Sequence, residues 1–443
     1  MRPLAGPGGA RETGEGIIAA FRFVHAADLH LDSPLRSLAL RDPDLAALIG
    51  SATRQALARI VDLCLDEQVD ALLLAGDLYD GDQTSMKTAR FLADQLGRLA
   101  AAGIRVFIVR GNHDAASRIS RELVLPDSVK VFTGRAEAVV IERGRGARPV
   151  AVHGLSFAKP QAPDSLLPRY RAPLPDTINL GLMHTSLGGS PGHDPYAPCR
   201  LADLQATGFD YWALGHIHQR SVAEGRTTVV MAGMPQGRDV NEAGAKSATL
   251  VTIGDDGAVT VEERVTCQAQ FERVTLDLSG IEDWGDLAAA LERGLGQARD
   301  GLAAPHLVAR LRLGGTTPLA WRIRRDLDLL TEEARRRAGL VGGCWVEAVE
   351  TTCRPPASGG EDETDPLCEL RRLIDDEIAG SDGFAAELAR LADELRGPLP
   401  AECRDLFGGD AVAARARLAE LAAEGIDEVF AHLAGDGASG EEG

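Results

Sequence analysis

The chain has 443 residues, 44% of them hydrophobic and only 4% aromatic, which is enough for two or three globular domains with real cores. Its formal charge of −19 is uneven: residues 361–443 carry 22 acidic and 7 basic side chains, a net −15, leaving −4 for the first 360. That balance excludes a protein that grips nucleic acid through one large basic surface, so any anionic ligand would have to be attracted locally, by metal ions or a small basic patch.

Residues 1–20 are Gly-rich and charged, have no apolar signal-peptide core, and are expected to be disordered. From Phe21 apolar runs and helical periodicity alternate. FRFVHAA (21–27) reads as a first strand, 43–68 as a helix with Leu45, Leu48, Ile49, Ala56, Ile60, Leu63 and Cys64 on one side, and ALLLAG (71–76) as a strand buried on both faces. A second helix is predicted over 84–102 and a third strand over IRVFIVRG (104–111). This β-α-β-α-β order argues for a layered α/β domain. The shorter runs VKVFTG, EAVVIE, PVAVHG, TINLGLMH, YWALGH and TVVMAG fit a second sheet stacked on the first.

Near Thr266 the pattern changes, giving a first domain over 21–266 and a small α+β unit over 267–353. Residues 354–366 read as a Pro/Gly/acid linker, and 367–443 as an acidic helical tail. Cys64, Cys199, Cys267, Cys344, Cys353, Cys368 and Cys403 form no C-x-x-C pair and are odd in number, so free thiols in a reducing cytoplasm are expected. No stretch reaches membrane-spanning length.

Five short segments sit just past predicted strand ends: Asp28-Leu29-His30, Gly76-Asp77-Leu78-Tyr79-Asp80, Gly111-Asn112-His113-Asp114, His184, and Gly215-His216-Ile217-His218. In open α/β sheets that edge is where ligands bind. Singly the signals are modest. Asp-x-His is common, Gly-Asp-x-x-Asp is first of all a turn signal, and His-x-His places two imidazoles on one face of the chain. Together, in this order, they argue for one site holding two divalent ions. Imidazole with carboxylate suits Mn, Fe, Zn or Co, and the absence of thiolates argues against a structural Cys-type zinc site. One carboxylate can bridge ions about 3.5–4 Å apart, and such a pair polarises a phosphoryl group. His25 and His153 lie in apolar runs and read as core residues or as residues behind the site; His193 reads as a loop residue and His306 as structural.

The ordered set D-x-H, G-D-x-x-D, G-N-H-D, H, G-H-x-H resembles the calcineurin-like metallophosphoesterases across about residues 21–240. ADLHLDSPL (27–35), LLLAGDLYD (72–80) and VRGNHD (109–114) are most similar to the SbcD-like DNA repair exonucleases, and ADLHLDSP with DPLCELRRLIDDE (365–377) to their YhaO-type branch. The resemblance implies a four-layer α/β/β/α sandwich with a small α+β capping domain and a helical C-terminal segment. It implies one metal on Asp28, His30 and His218, a second on Asn112, His184 and His216, and Asp77 between them. His113 would act at the scissile phosphate, with Asp114 orienting it. Mn2+ is the implied ion, DNA the implied substrate, and an SMC-like coiled-coil ATPase the implied partner, docking on 367–443; a homodimer stays open. Two departures stand out. Asp32 replaces a Gly common in the family, and Gly81 after Asp80 replaces the Arg of protein phosphatases, which weakens a phosphoprotein reading. A small-molecule or nucleotide phosphodiesterase on the same scaffold is the alternative.

Overall fold

The computed structural model describes residues 20–33, 43–80, 85–116, 124–144, 146–159, 162–188, 196–356, 366–399 and 410–436. The expected N-terminal extension, most of the linker and His193 lie outside these residues. The chain forms two compact units, a first that runs to Phe271 and takes in Leu302–His306, and a second made of Glu272–Gly301 and the residues from Leu307 on.

The first unit begins with β1 (Phe21–Ala26), α1 (Pro43–Asp66), β2 (Ala71–Ala75), α2 (Met86–Ala101), β3 (Arg105–Val109), the short α3 (Asn112–Ala116) and β4 (Val129–Val131). It continues through β5 (Glu137–Ile141), β6 (Val150–Gly154), β7 (Ile178–His184), α4 (Leu201–Gln205), β8 (Tyr211–Gly215), β9 (Ser221–Ala223) and β10 (Thr228–Met231), and ends with β11 (Ser247–Ile253), β12 (Val259–Val265) and the start of β13 (Ala269–Asp277). Two six-stranded sheets result, ordered β12-β11-β1-β2-β3-β4 and β5-β6-β7-β8-β10-β9. β1 to β4 are parallel, as are β6, β7, β8 and β10, while β11 runs antiparallel to β1.

Strand periodicity explains the layering. Phe21, Phe23, Ala71, Leu73, Phe107 and Val109 meet Val152, Ile178, Leu180, Leu182, Tyr211 and Ala213 of the other sheet. Their neighbours Val24, Leu72, Leu74, Val106 and Ile108 face α1 and α2, through Leu57, Ile60, Val61, Leu92 and Leu96. Every residue of β2 is thus buried, which is why ALLLA is apolar throughout. The outer face of the second sheet packs Met183, Trp212, Leu214 and Met231 against Leu204, Phe209 and the loop residues Leu155, Phe157 and Leu166. This is the four-layer α/β/β/α arrangement, with a thin fourth layer of short helices and loops. The sequence reading missed β11 and β12. β12 is an edge strand whose charged Glu262, Glu263 and Arg264 mask its alternation.

In the second unit, β13 is followed by α5 (Trp284–Asp300), β14 (His306–Gly314), α6 (Ala320–Arg325), α7 (Leu327–Val341) and β15 (Cys344–Thr351). These strands form a sheet ordered β13-β14-β15. The tail contributes α8 (Pro366–Leu373), α9 (Asp382–Arg396) and α10 (Ala411–Asp436). Its last helix is anchored on α6: Phe430 is buried 6.2 Å from the Trp321 ring, and Asp427 takes Arg371 at 2.7 Å and Arg324 at 3.3 Å. Cys64, Cys199, Cys267, Cys344 and Cys353 are free and buried. No helix among the described residues is long and apolar enough to cross a membrane.

Candidate metal centre

The five motif segments lie at the C-terminal ends of β1, β2, β3, β7 and β8, and the two stacked sheets bring these ends together. The parallel pairing of β1 with β2 continues past the strands. Asp28 N donates to Gly76 O at 3.0 Å, His30 N to Asp77 O at 3.1 Å, and Leu31 N to Leu78 O at 3.0 Å. The turns that follow are sharp: Asp28, His30, Asp77 and His216 have φ of 51°, 42°, 51° and 105°, in the left-handed region. Each such residue stores on the order of 1–3 kcal/mol of strain, a cost that clusters at functional sites.

Ligand-type atoms of Asp28, His30 and His218 lie within 4.8 Å of one another, and those of Asp77, His184 and His216 form a second such group. Asn112 joins the second group, its Oδ1 3.0 Å from His184 Nε2. His184 Nδ1 donates to Ala75 O at 2.9 Å, which leaves Nε2 facing Asn112 and, at 3.4 Å, Asp77 Oδ2. In the first group the Nε2 atoms of His30 and His218 face each other at 3.2 Å. Two imidazole nitrogens aimed at one point, beside a buried carboxylate, fit a cation between them. The packing leaves room for little else: a Cβ at Gly111 would lie 2.8 Å from His184 Nε2 and would collide with Asp77 Oδ1.

Without a cation these groups hold protons in unusual ways. Burial pushes the Asp28 carboxyl up to about 6, against the opposing pull of His184 and His218. Burial would raise Asp77 too, but His184, His30 and His113 hold it well below the usual range. Burial would lower His184, yet Asp77 and Asp28 push it up to about 9. The backbone also serves the carboxylates: His216 N donates to Asp28 at 3.0 Å, and His113 N to Asp77 Oδ1 at 3.1 Å.

One expectation is corrected. The carboxylate against the His113 ring is Asp80, whose Oδ1 lies 3.1 Å from Nδ1, rather than Asp114. Asp114 Oδ1 accepts from Leu78 N and Tyr79 N, and its Oδ2 from Gly111 N, so it braces the loops beneath the site. Successive residues of a helical turn do not face each other, so Asp114 is poorly placed to orient its neighbour. The sequence reading named Asp80 only as part of a turn and missed this role; it also missed Glu242, which reaches His218 Nδ1 at 2.9 Å. His25 and His153 are core residues, bonded to Tyr211 and Leu214 and to Asn179.

The groups open on a cleft of 780 Å³ lined by Asp77, Asn112, His113, Tyr196, His216 and His218, together with Gln219, Arg238, Asn241, Glu242 and Lys246. A cleft lined by imidazoles and carboxylates, with Arg238 and Lys246 also in its lining, suits a metal-assisted reaction at an anionic phosphoester. The fold and this donor set define a metal-dependent phosphoesterase, and the chain belongs to the calcineurin-like phosphoesterase family. The family model for calcineurin-like phosphoesterases matches residues 21–220, and that for the middle domain of metallophosphoesterase YhaO matches 271–354. The chain is 32% identical to the uncharacterised metallophosphoesterase YhaO of Bacillus subtilis, over 67% of this chain and 72% of that one. It is 22% identical to the DNA double-strand break repair protein Mre11 of Sulfurisphaera tokodaii, covering 59% and 67% of the two chains. It is 22% identical to the Mre11 of Saccharolobus solfataricus, covering 59% and 68%.

Proposed function

We propose that the chain is a manganese-dependent DNA repair nuclease that hydrolyses phosphodiester bonds. The observation that carries the reading is the convergence of Asp28, His30, Asp77, Asn112, His184, His216 and His218 from five separate strand ends. In this reading Asp28, His30 and His218 hold one divalent ion, Asn112, His184 and His216 the other, and Asp77 both. Bound there, the ions would polarise the phosphoryl group and make hydroxide available near neutral pH. The rest falls to the protein. His113, 40% exposed at the cleft and raised in pKa by its hydrogen bond to Asp80, hands a proton to the leaving oxygen. Asp114 keeps the loops that carry Asp77 and Asn112 in register. Lys246, in the cleft lining, supplies local positive charge in a chain of net −19, while the charge of Arg238 is paired with Glu242.

Residues 21–266 are the catalytic domain in this reading and 267–353 the cap. Residues 367–443 are the docking region for an SMC-like ATPase in the cytoplasm. An apolar groove of 420 Å³ between α9 and α10, lined by Leu388, Leu391, Leu395, Leu418, Leu421 and Val429, supports such a partner. Low overall basicity favours the second reading, a nucleotide phosphodiesterase. Metal analysis and digestion of linear duplex DNA by wild type beside Asp77→Ala decide between them. Manganese-dependent digestion that Asp77→Ala loses supports the nuclease. Turnover of nucleotide esters with intact DNA, alone and with the ATPase, selects the alternative.

A further inference from the structure

His218 is held by a carboxylate that no motif announces. Glu242 closes a 3-10 turn, Val240–Glu242, capped by Asp239, whose carboxylate accepts the N–H of Asn241 at 2.7 Å. Its Oε1 lies 2.9 Å from His218 Nδ1. Arg238 grips the same carboxylate from behind. Its backbone N–H donates to Oε2 at 2.8 Å, its guanidinium Nη2 to Oε1 at 2.7 Å, and its Nε to the two oxygens at 3.3 and 3.2 Å. Burial alone would raise the Glu242 carboxyl, but the hydrogen bonds from His218 and Arg238 outweigh it and keep the group ionised.

An anionic acceptor at Nδ1 requires the Nδ1–H tautomer, and that tautomer leaves the Nε2 lone pair directed away from Glu242. Nε2 is the atom that faces His30 Nε2 at 3.2 Å and belongs to the group with Asp28. The line Arg238–Glu242–His218 therefore runs along the cleft lining into the first ligand group. The connection is long in sequence, with His218 and Glu242 24 positions apart, so it ties the loop after β8 to the loop before β11. His184 has only a neutral carbonyl, Ala75 O, in the equivalent place, so the two groups are supported by acceptors of different charge.

We propose that Glu242 is a positioning residue of the metal centre: it holds the Nδ1 proton of His218 and aims Nε2 at the ion shared with Asp28 and His30, with Arg238 locking Glu242 in that pose. The inference rests on the ligand reading above. Carboxylates that orient a ligating histidine are worth roughly 10- to 100-fold in metal affinity. The loss falls on one ion of the two, because the Glu242 carboxylate bonds to His218 of the first group and to Arg238.

The test is calorimetric titration of the full chain, stripped with chelator, with MnCl2 alone, for wild type, Glu242→Gln and Glu242→Ala. Wild type is expected to take up two ions. Glu242→Ala is expected to weaken one step by about 10- to 100-fold and leave the other within about twofold. Glu242→Gln, which keeps an oxygen acceptor without the charge, is expected to fall between. Melting of the metal-free proteins in chelator gives the control for folding. Should Glu242→Ala fail to fold, the Gln variant decides. Wild-type affinity at both steps in the folded variants overturns the inference, as does an equal loss at both steps with a lowered metal-free melting temperature, which marks a merely structural pair. A wild-type chain that takes up no manganese overturns the ligand reading itself and the inference with it.

Discussion

His113 Nδ1 lies 3.1 Å from Asp80 Oδ1, and Asp80 Oδ2 in turn accepts a hydrogen bond from Ser33 Oγ at 2.7 Å. The bond to Asp80 is the main cause that raises the pKa of His113; burial opposes it, and Asp77 and Asp114 add to it. A general acid must carry its proton, so Asp80 extends the pH range over which His113 can donate. In Asp80→Asn the imidazole loses its anion and deprotonates at lower pH. The alkaline limb of the rate profile should move to lower pH, with a rate loss of about 10- to 100-fold above neutrality and two metal ions still bound. Rates measured from pH 6 to 9 check this; an unmoved limb counts against an acid role for His113.

Metal uptake should expel protons. With no ion present, the influence of Asp77 and Asp28 exceeds the burial penalty and keeps His184 protonated up to about pH 9. Ligation through Nε2 needs the neutral ring. At pH 7.5 manganese binding should therefore release about one proton from this residue, and the count should fall as pH rises through 9. Calorimetry in buffers of different ionisation enthalpy measures the number. Binding at pH 7.5 with no release would remove His184 from the ligand set.

Gly111 has no tolerance for a methyl group, because Asp77 and His184 occupy the space a Cβ needs. Gly111→Ala is expected to cost about 1–3 kcal/mol of stability and to displace both ligands. Titration of the folded variant with manganese should show the second site lost or weakened more than tenfold. Retention of both ions at wild-type affinity would mean the loops adjust freely, contrary to the packing described.

His25 gives a pH dependence independent of the metals. It is fully buried, its Nε2–H donating to Leu214 O at 3.1 Å and its Nδ1 accepting from Tyr211 Oη at 3.0 Å. Burial pushes it down to about 3, and the bond to Leu214 offsets only part of this. The unfolded chain takes up that proton near pH 6.5, the folded chain only near 3. Between those values the unfolded state binds more protons, so stability falls as pH drops, by about 1.4 kcal/mol per pH unit, and the loss levels off below 3. In chelator, His25→Gln should show a shallower acid slope of the urea midpoint between pH 6.5 and 4. Equal slopes for the two proteins would show that His25 is not the group responsible.

Much of this was legible in the sequence, for a physical reason. Strands buried on both faces must be apolar along their length, so β1, β2, β3, β7 and β8 stand out as runs, and polar residues at their ends mark the loop edge. The residues that support the ligands carry no such signal. Glu242 lies in the connection from β10 to β11 with no motif around it, and reaches His218 only because β10 carries the chain back to the cleft. Asp80 looks like a turn residue until His113 arrives from another strand. Asp32 is similar: its side chain meets Arg54 and Thr88 and pins the first loop to α1 and α2. Their roles are set by tertiary neighbours.

The hydrogen bonds that continue the pairing of β1 and β2 beyond the sheet tie Asp28, His30 and Asp77 together rung by rung. Those three side chains therefore share the stiffness of the central sheet, and a one-residue insertion in either turn would misplace all of them at once. The lining residues Gln219, Arg238, Asn241 and Lys246 sit on the connections from β8 to β9 and from β10 to β11 instead. Substitutions among those lining residues leave the rungs beneath Asp28, His30 and Asp77 untouched, so the grip on substrate can change while the ligand frame stays as it is.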